Sequence, residues 1–193
     1  MSTRGQLINQ AYDVVRRTYQ EINRLKDDLE DLLSDYEPSL IFAEQYSYGT
    51  NALYLKANHT FLFKRGKEKP ESEALGQQRV FAMICIFYEE DNVNRISLKD
   101  QPEIWFGLFD IYKHQNKIRP WHIYYLLTLQ HRAEFKDNPL VIGRESIGYH
   151  RKDEVTGEEW RGRFIGYPLV EITDITALKE KVVEKLFMKK KVA

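Results

Sequence analysis

From Ile8 onward, apolar or weakly apolar residues return at alternating steps of three and four: Ile8, Ala11, Val15, Thr18, Ile22, Leu25, Leu29, Leu32 and Tyr36. That spacing keeps one stripe on one side of an α-helix and matches a heptad seam. Most of the a positions are Ile, Val or Leu, and the last two d positions are Leu25 and Leu32, which suits a two-stranded coiled coil. Glu21 and Lys26 would then attract each other across a parallel dimer. Tyr12, Tyr19 and Leu33 widen the stripe, and a wider stripe equally suits a helix lying on its own domain. The far end of the helix is acidic (Asp27, Asp28, Glu30, Asp31, Asp35), against the macrodipole, and reads as a solvated face or a surface for a basic partner. Pro38 ends the helix, because the residue before a proline avoids the α region.

Beyond Pro38 the period changes to two. "ALYLKANHTFLFKR" reads as two short strands about a turn at "KANH", and "KRGKEKPESEALGQQ" as a polar loop. "QRVFAMICIFYEED" sets Val80, Ala82, Ile84 and Ile86 against Phe81, Met83, Cys85 and Phe87. "PEIWFGLFDIY" sets Trp105, Gly107, Phe109 and Ile111 against Ile104, Phe106, Leu108 and Asp110. Both faces of each are apolar, so each predicts a central strand covered on two sides. "RPWHIYYLLTLQHR", Arg119 to Arg132, alternates apolar odd positions with polar or amphipathic even ones. It is read as a half-buried strand in preference to a helix with Pro120 in its first position.

"ESIGYHRKDEVTGEEWRGRF" predicts a hairpin with Thr156 and Gly157 at its tip, and "FIGYPLVEITDI" a further strand in which Pro168 marks an edge or a bulge. Asp174 is placed to cap a last helix with Ile175, Leu178, Val182 and Leu186 on one face, and the "KKKVA" tail sets cations at its C-terminal end. The fold class is α+β: a long N-terminal helix, a largely antiparallel sheet of about five to seven strands, and a C-terminal helix packed on it. Residues 1–37 form the helix and residues 38–193 an α+β domain, the two making one structural unit.

Composition narrows the partners. The 193 residues balance 29 basic against 29 acidic side chains, so no global field draws the chain to nucleic acid or to an anionic membrane. Neither a signal-peptide layout nor an uncharged apolar run of about 18 residues occurs, which predicts a cytoplasmic protein without a membrane partner. Cys85, the single cysteine, sits in an apolar run and reads as a core residue; alone it forms no internal disulfide and no multi-thiolate metal site. No phosphate-cradling glycine loop, GxSxG elbow, HExxH or paired CxxC is present. Neither a metal nor a cofactor is therefore expected, and the reading leans away from an enzyme.

The remaining chemistry is dispersed. His122 and His131 have opposite parity, so one strand would face them apart; a site would need His59, His150, Glu103 or Glu171 to converge on His122. Glu171 and Asp174 lack the following lysine that a strand-borne nuclease motif wants. His150, Arg151, Lys152, Arg161 and Arg163, interleaved with Trp160, form the densest local signal: cations for phosphates and an aromatic for stacking, diluted by five nearby acids. The leading expectation is a non-catalytic interaction or regulatory domain. It would assemble with itself or a protein partner through Ile8, Val15, Ile22, Leu25, Leu29 and Leu32. The alternative is a nucleic-acid-binding protein or nuclease acting through the hairpin of residues 144–163. A third reading is a small-ligand sensor with an aromatic pocket at Trp105 and Trp121.

Overall fold

The computed structural model describes residues 3–48, 58–66, 77–87, 102–113, 117–125 and 147–187. Helix α1 runs from Arg4 to Tyr36. Its start is set by a capping box: the Thr3 hydroxyl accepts from the Gln6 N–H, and the Gln6 side chain accepts from the Thr3 N–H at 2.7 Å. Its end comes just before Pro38, where the Glu37 N–H closes on the Leu33 carbonyl.

Six strands follow: β1 (Leu40–Tyr48), β2 (Asn58–Arg65), β3 (Gln77–Ile86), β4 (Glu103–Tyr112), β5 (Ile147–Lys152) and β6 (Glu159–Pro168). They form one antiparallel sheet in the order β1-β2-β3-β4-β6-β5. A short helix, α2 (Pro120–Tyr125), lies between β4 and β5 in sequence. A C-terminal helix, α3, covers residues 175–187, with an α turn at Ile175–Leu178, a π segment at Lys179–Val183 and an α turn at Glu184–Phe187. The α+β class, the long first helix, the antiparallel sheet and the C-terminal helix are those the sequence predicts.

Strands β3 and β4 lie in the middle of the sheet, and their two apolar faces feed two cores. On one face Phe81, Met83, Cys85, Ile104 and Phe106 join Phe61, Phe63, Ile165 and Tyr167 beneath Ile22, Leu25, Leu29, Leu32 and Leu33 of α1 and Leu178, Val182, Val183 and Leu186 of α3. This helix-covered face includes Cys85, whose thiol burial holds protonated by raising its pKa. On the other face Val80, Ala82, Ile84, Trp105, Phe109 and Ile111 join Leu62, Tyr149, Trp160 and Phe164, with Ile118 and Ile123 on top. Gly162 allows this second layer to close: a Cβ there would fall 2.4 Å from the Leu108 carbonyl oxygen and 2.5 Å from the Phe109 ring.

Several local expectations change. Residues 120–125 are helical, not extended. Pro120 takes the first helical position, where its missing N–H costs nothing, and the His122 N–H bonds the Arg119 carbonyl at 3.0 Å. A strand would put Trp121 and Ile123 on one side; here Trp121 is 42% exposed and Ile123 is buried. Residues 126–132 of that stretch lie outside the described residues, as do the first half of "ALYLKANHTFLFKR", most of the polar loop after it, and the lysine tail. Strand β1 is unanticipated because a bulge between Phe42 and Glu44 breaks its alternation. Leu40, Phe42, Gln45 and Ser47 share the helix-covered face, while Glu44 and Tyr46 turn to the other.

The hairpin's second arm and the "FIGYP" strand are one element, β6. Pro168 is neither a bulge nor an interruption but its last residue, followed by a 3-10 turn at Leu169–Glu171. The hairpin tip is as expected, with the Asp153 carboxylate accepting N–H bonds from Val155 and Thr156, and Gly157 at φ +69°. Asp174 caps α3 through the Ala177 N–H at 2.9 Å; Leu178, Val182 and Leu186 are buried, but Ile175 is exposed.

Candidate functional site

The heptad seam of α1 divides in two. Ile22, Leu25, Leu29 and Leu32 are buried in the core of their own chain. Upstream the helix is largely uncovered: on the seam Ile8 is 49% exposed and Ala11 exposed, with Val15 and Thr18 half-buried, and the flanking Leu7, Tyr12 and Val14 are 56%, 60% and 64% exposed. The Thr18 hydroxyl bonds the Val14 carbonyl at 2.9 Å, leaving its methyl to the seam. The ion pair expected across a parallel dimer is spent inside the chain. Glu21 pairs with Arg24 at 3.1 Å, while Lys26 pairs with Asp27 and lies 4.9 Å over the Phe42 ring.

Strand parity splits the basic hairpin. His150, Lys152, Arg161 and Arg163 turn to the helix-covered face, whereas Arg151 and Trp160 turn to the other. Trp160 is 7% exposed, packs against Phe109 and gives its indole N–H to Glu158. A base stacking on it would have to enter the core. Glu159 collects both neighbours through one oxygen, with His150 Nε2 and Arg161 Nε each at 2.6 Å. The Arg161 hydrogen bond, then that from His150, hold the Glu159 carboxyl below its usual range.

The hairpin cations meet others that sequence proximity does not reveal. Arg79, Asp110, Arg161 and His150 are successive partners across β3, β4, β6 and β5. Asp110 grips Arg79 through two oxygens, at 2.7 and 3.0 Å, and Glu37 at the end of α1 adds a third bond at 3.0 Å. Beside this row is a cleft of about 470 Å³, lined by Tyr36, Glu37, Arg79, Leu108, Asp110, Arg161, Gly162, Arg163, Leu186 and Phe187.

Among the described residues the histidines do not gather. His122 accepts the Arg119 N–H at its Nδ1 and lies against Trp121. His59 is elsewhere, under Tyr19, with the Ser47 hydroxyl 2.8 Å and the Gln45 amide 3.3 Å from its Nδ1. A serine on an imidazole is half of a nucleophile–base pair, but this ring sits among Tyr19, Phe61 and Phe87. Ser47 and Gln45 are on the unanticipated β1, and only the strand register brings them to His59. Glu103 is buried and accepts the Trp105 indole N–H at 3.0 Å; Glu171 pairs with Lys181 at 3.0 Å. Trp105 is in the core and Trp121 is half-exposed.

Among the described residues, no three His, Cys, Asp or Glu side chains are grouped to hold a metal ion, and no helix is long and apolar enough to cross a membrane. No protein-family model, curated protein or solved structure matches the chain.

Proposed function

We propose that the protein is a non-catalytic assembly module, in which the N-terminal half of α1 pairs with the same half-helix of a second copy. The observation that carries this reading is the exposure of Leu7, Ile8, Tyr12 and Val14 on a helix whose C-terminal half is fully docked. A helical stretch of about 12–15 residues is marginal in water by itself, so an uncovered apolar stripe of that length calls for cover. The seam residues Ile8, Ala11, Val15 and Thr18 keep heptad spacing, and the capping box at Thr3 defines where the pairing segment begins. The docked half anchors this segment to a folded body, which limits the entropy lost on pairing.

Light scattering over a concentration series tests the proposal. Wild-type protein is expected to dimerise, and Ile8→Asp combined with Val15→Asp to give monomers that remain folded. Ile22→Asp is the wrong probe, since Ile22 is buried and an unpaired charge there unfolds the chain. A wild-type protein that stays monomeric to its solubility limit overturns self-pairing.

A further inference from the structure

We infer that the cleft between the end of α1 and strand β6 binds a small organic anion, with Arg161 and Arg163 holding the charged group and Leu108, Leu186 and Phe187 receiving an apolar body. The two arginines are two residues apart on β6, so both point into the cleft from one strand, their α-carbons ~7 Å apart. That separation suits two guanidinia converging on one carboxylate, sulfonate or phosphate.

The three arginines of the cleft are not equivalent. Arg79 is saturated by Asp110 and Glu37 and serves as scaffold, tying the helix end to the sheet. Arg161 is tethered differently: its Nε bonds Glu159, and its guanidinium carbon lies 5.7 Å from the centre of the Tyr112 ring. Those contacts fix the plane of the group but use none of its Nη hydrogens, so its outer edge is presented pre-oriented. Next to Arg163 in the register is Gly148, and a Cβ built there would meet nothing within 4 Å.

Charge and shape agree on the ligand class. The lining holds three guanidinia and two carboxylates, Glu37 and Asp110, both of which face Arg79; Glu159, outside the lining, engages Arg161 through Nε alone and leaves its Nη edge for a ligand. The volume is in the range of small-molecule sites, about 300–1,000 Å³. Leu108 and Leu186, with the rings of Tyr36 and Phe187, make an apolar floor and wall that inorganic phosphate would not use. An aryl or alkyl anion fits this combination better than a bare oxyanion.

Fluorescence titration of the full chain with 1-anilinonaphthalene-8-sulfonate tests it. Arg161→Gln and Arg163→Gln are each expected to weaken binding by about tenfold or more, as for loss of a charge-assisted pair. Arg151→Gln, on the opposite face, should leave binding unchanged. Phenyl phosphate should displace the probe at lower concentration than inorganic phosphate. The inference is overturned if Arg161→Gln binds as tightly as wild type, if Arg151→Gln loses as much, or if the two phosphates compete equally. Displacement by oligothymidylate at lower concentration than by phenyl phosphate would likewise overturn it, in favour of nucleic acid. Should Arg161→Gln fail to fold, Arg161→Lys keeps the charge without the fork; undiminished binding by that variant also overturns the inference.

Discussion

The two halves of α1 carry one pattern and meet two fates. From Ile22 to Leu33 the stripe is sealed beneath β1–β4 and α3; from Leu7 to Val15 the same three-and-four spacing faces solvent. The flanks differ as well. The first half carries Arg4, Arg16 and Arg17 against Asp13, while the second carries six acids against Arg24 and Lys26. Periodicity records which side of a helix is to be covered; it does not record by what. The second half is covered because β1 begins four residues after α1 ends and folds back, bringing Leu40 and Phe42 under the helix. No described element of the chain folds back over the first half.

The largest expected effect lies in the docked half. Leu29→Ala should destabilise the protein by roughly 2–5 kcal/mol, because the residue is fully buried and its removal leaves a cavity. Ile8→Ala should leave the denaturant midpoint of the monomer within about 0.5 kcal/mol of wild type, as surface changes usually do. Chemical denaturation of both, at a concentration low enough to keep the chain monomeric, measures the contrast. Equal losses would mean that the two halves are one cooperative unit, and the distinction drawn above would fail.

What could be read in advance follows the same division between pattern and partner. β3 and β4 were legible because ten-residue alternation with both faces apolar has one economical explanation, a central strand. β1 was not, since the bulge at Phe42/Glu44 shifts its parity midway. Residues 120–125 were misread because six residues of apolar–polar alternation also fit one and a half helical turns, and only packing chose between them. The cleft was half legible. Parity alone puts Arg161 and Arg163 together and sends Trp160 inward. Arg79, Asp110 and Glu37 arrive from β3, β4 and α1, and their convergence depends on a strand register that no single-strand pattern specifies.

A smaller effect concerns what the docked half leans on. Asp174 caps α3 next to α1, where Arg24 donates to the Thr173 carbonyl at 2.9 Å. The Ala177 N–H, foremost, holds the Asp174 carboxyl below its reference value of 3.8. A carboxyl depressed in the folded state contributes stability above its unfolded pKa and loses it as pH falls through the folded one. Asp174→Ala should therefore melt below wild type at neutral pH. The gap should narrow only as pH falls below 3.8. Thermal melts across that range check the sign, and a gap that is constant with pH would remove the charge from the account.

The smallest effect belongs to the exposed half. Thr3→Ala removes the hydroxyl arm of the capping box, a loss of about 0.5–2 kcal/mol for a helix start, and keeps the backbone N–H that bonds the Gln6 side chain. In the monomer that energy is local, because nothing buried depends on residues 4–12. Global unfolding should be unmoved while amide exchange over the first turns accelerates. In a dimer paired through Ile8 and Val15 the same substitution must be felt in association, since each copy has to refold its frayed end before pairing. The dissociation constant should then rise, and by twice the single-cap free energy, because a symmetric pair contains two caps. Hydrogen exchange and a sedimentation series on one variant thus separate a helix that only projects from a helix that pairs. Faster exchange with unchanged association would leave the exposed half without its proposed use.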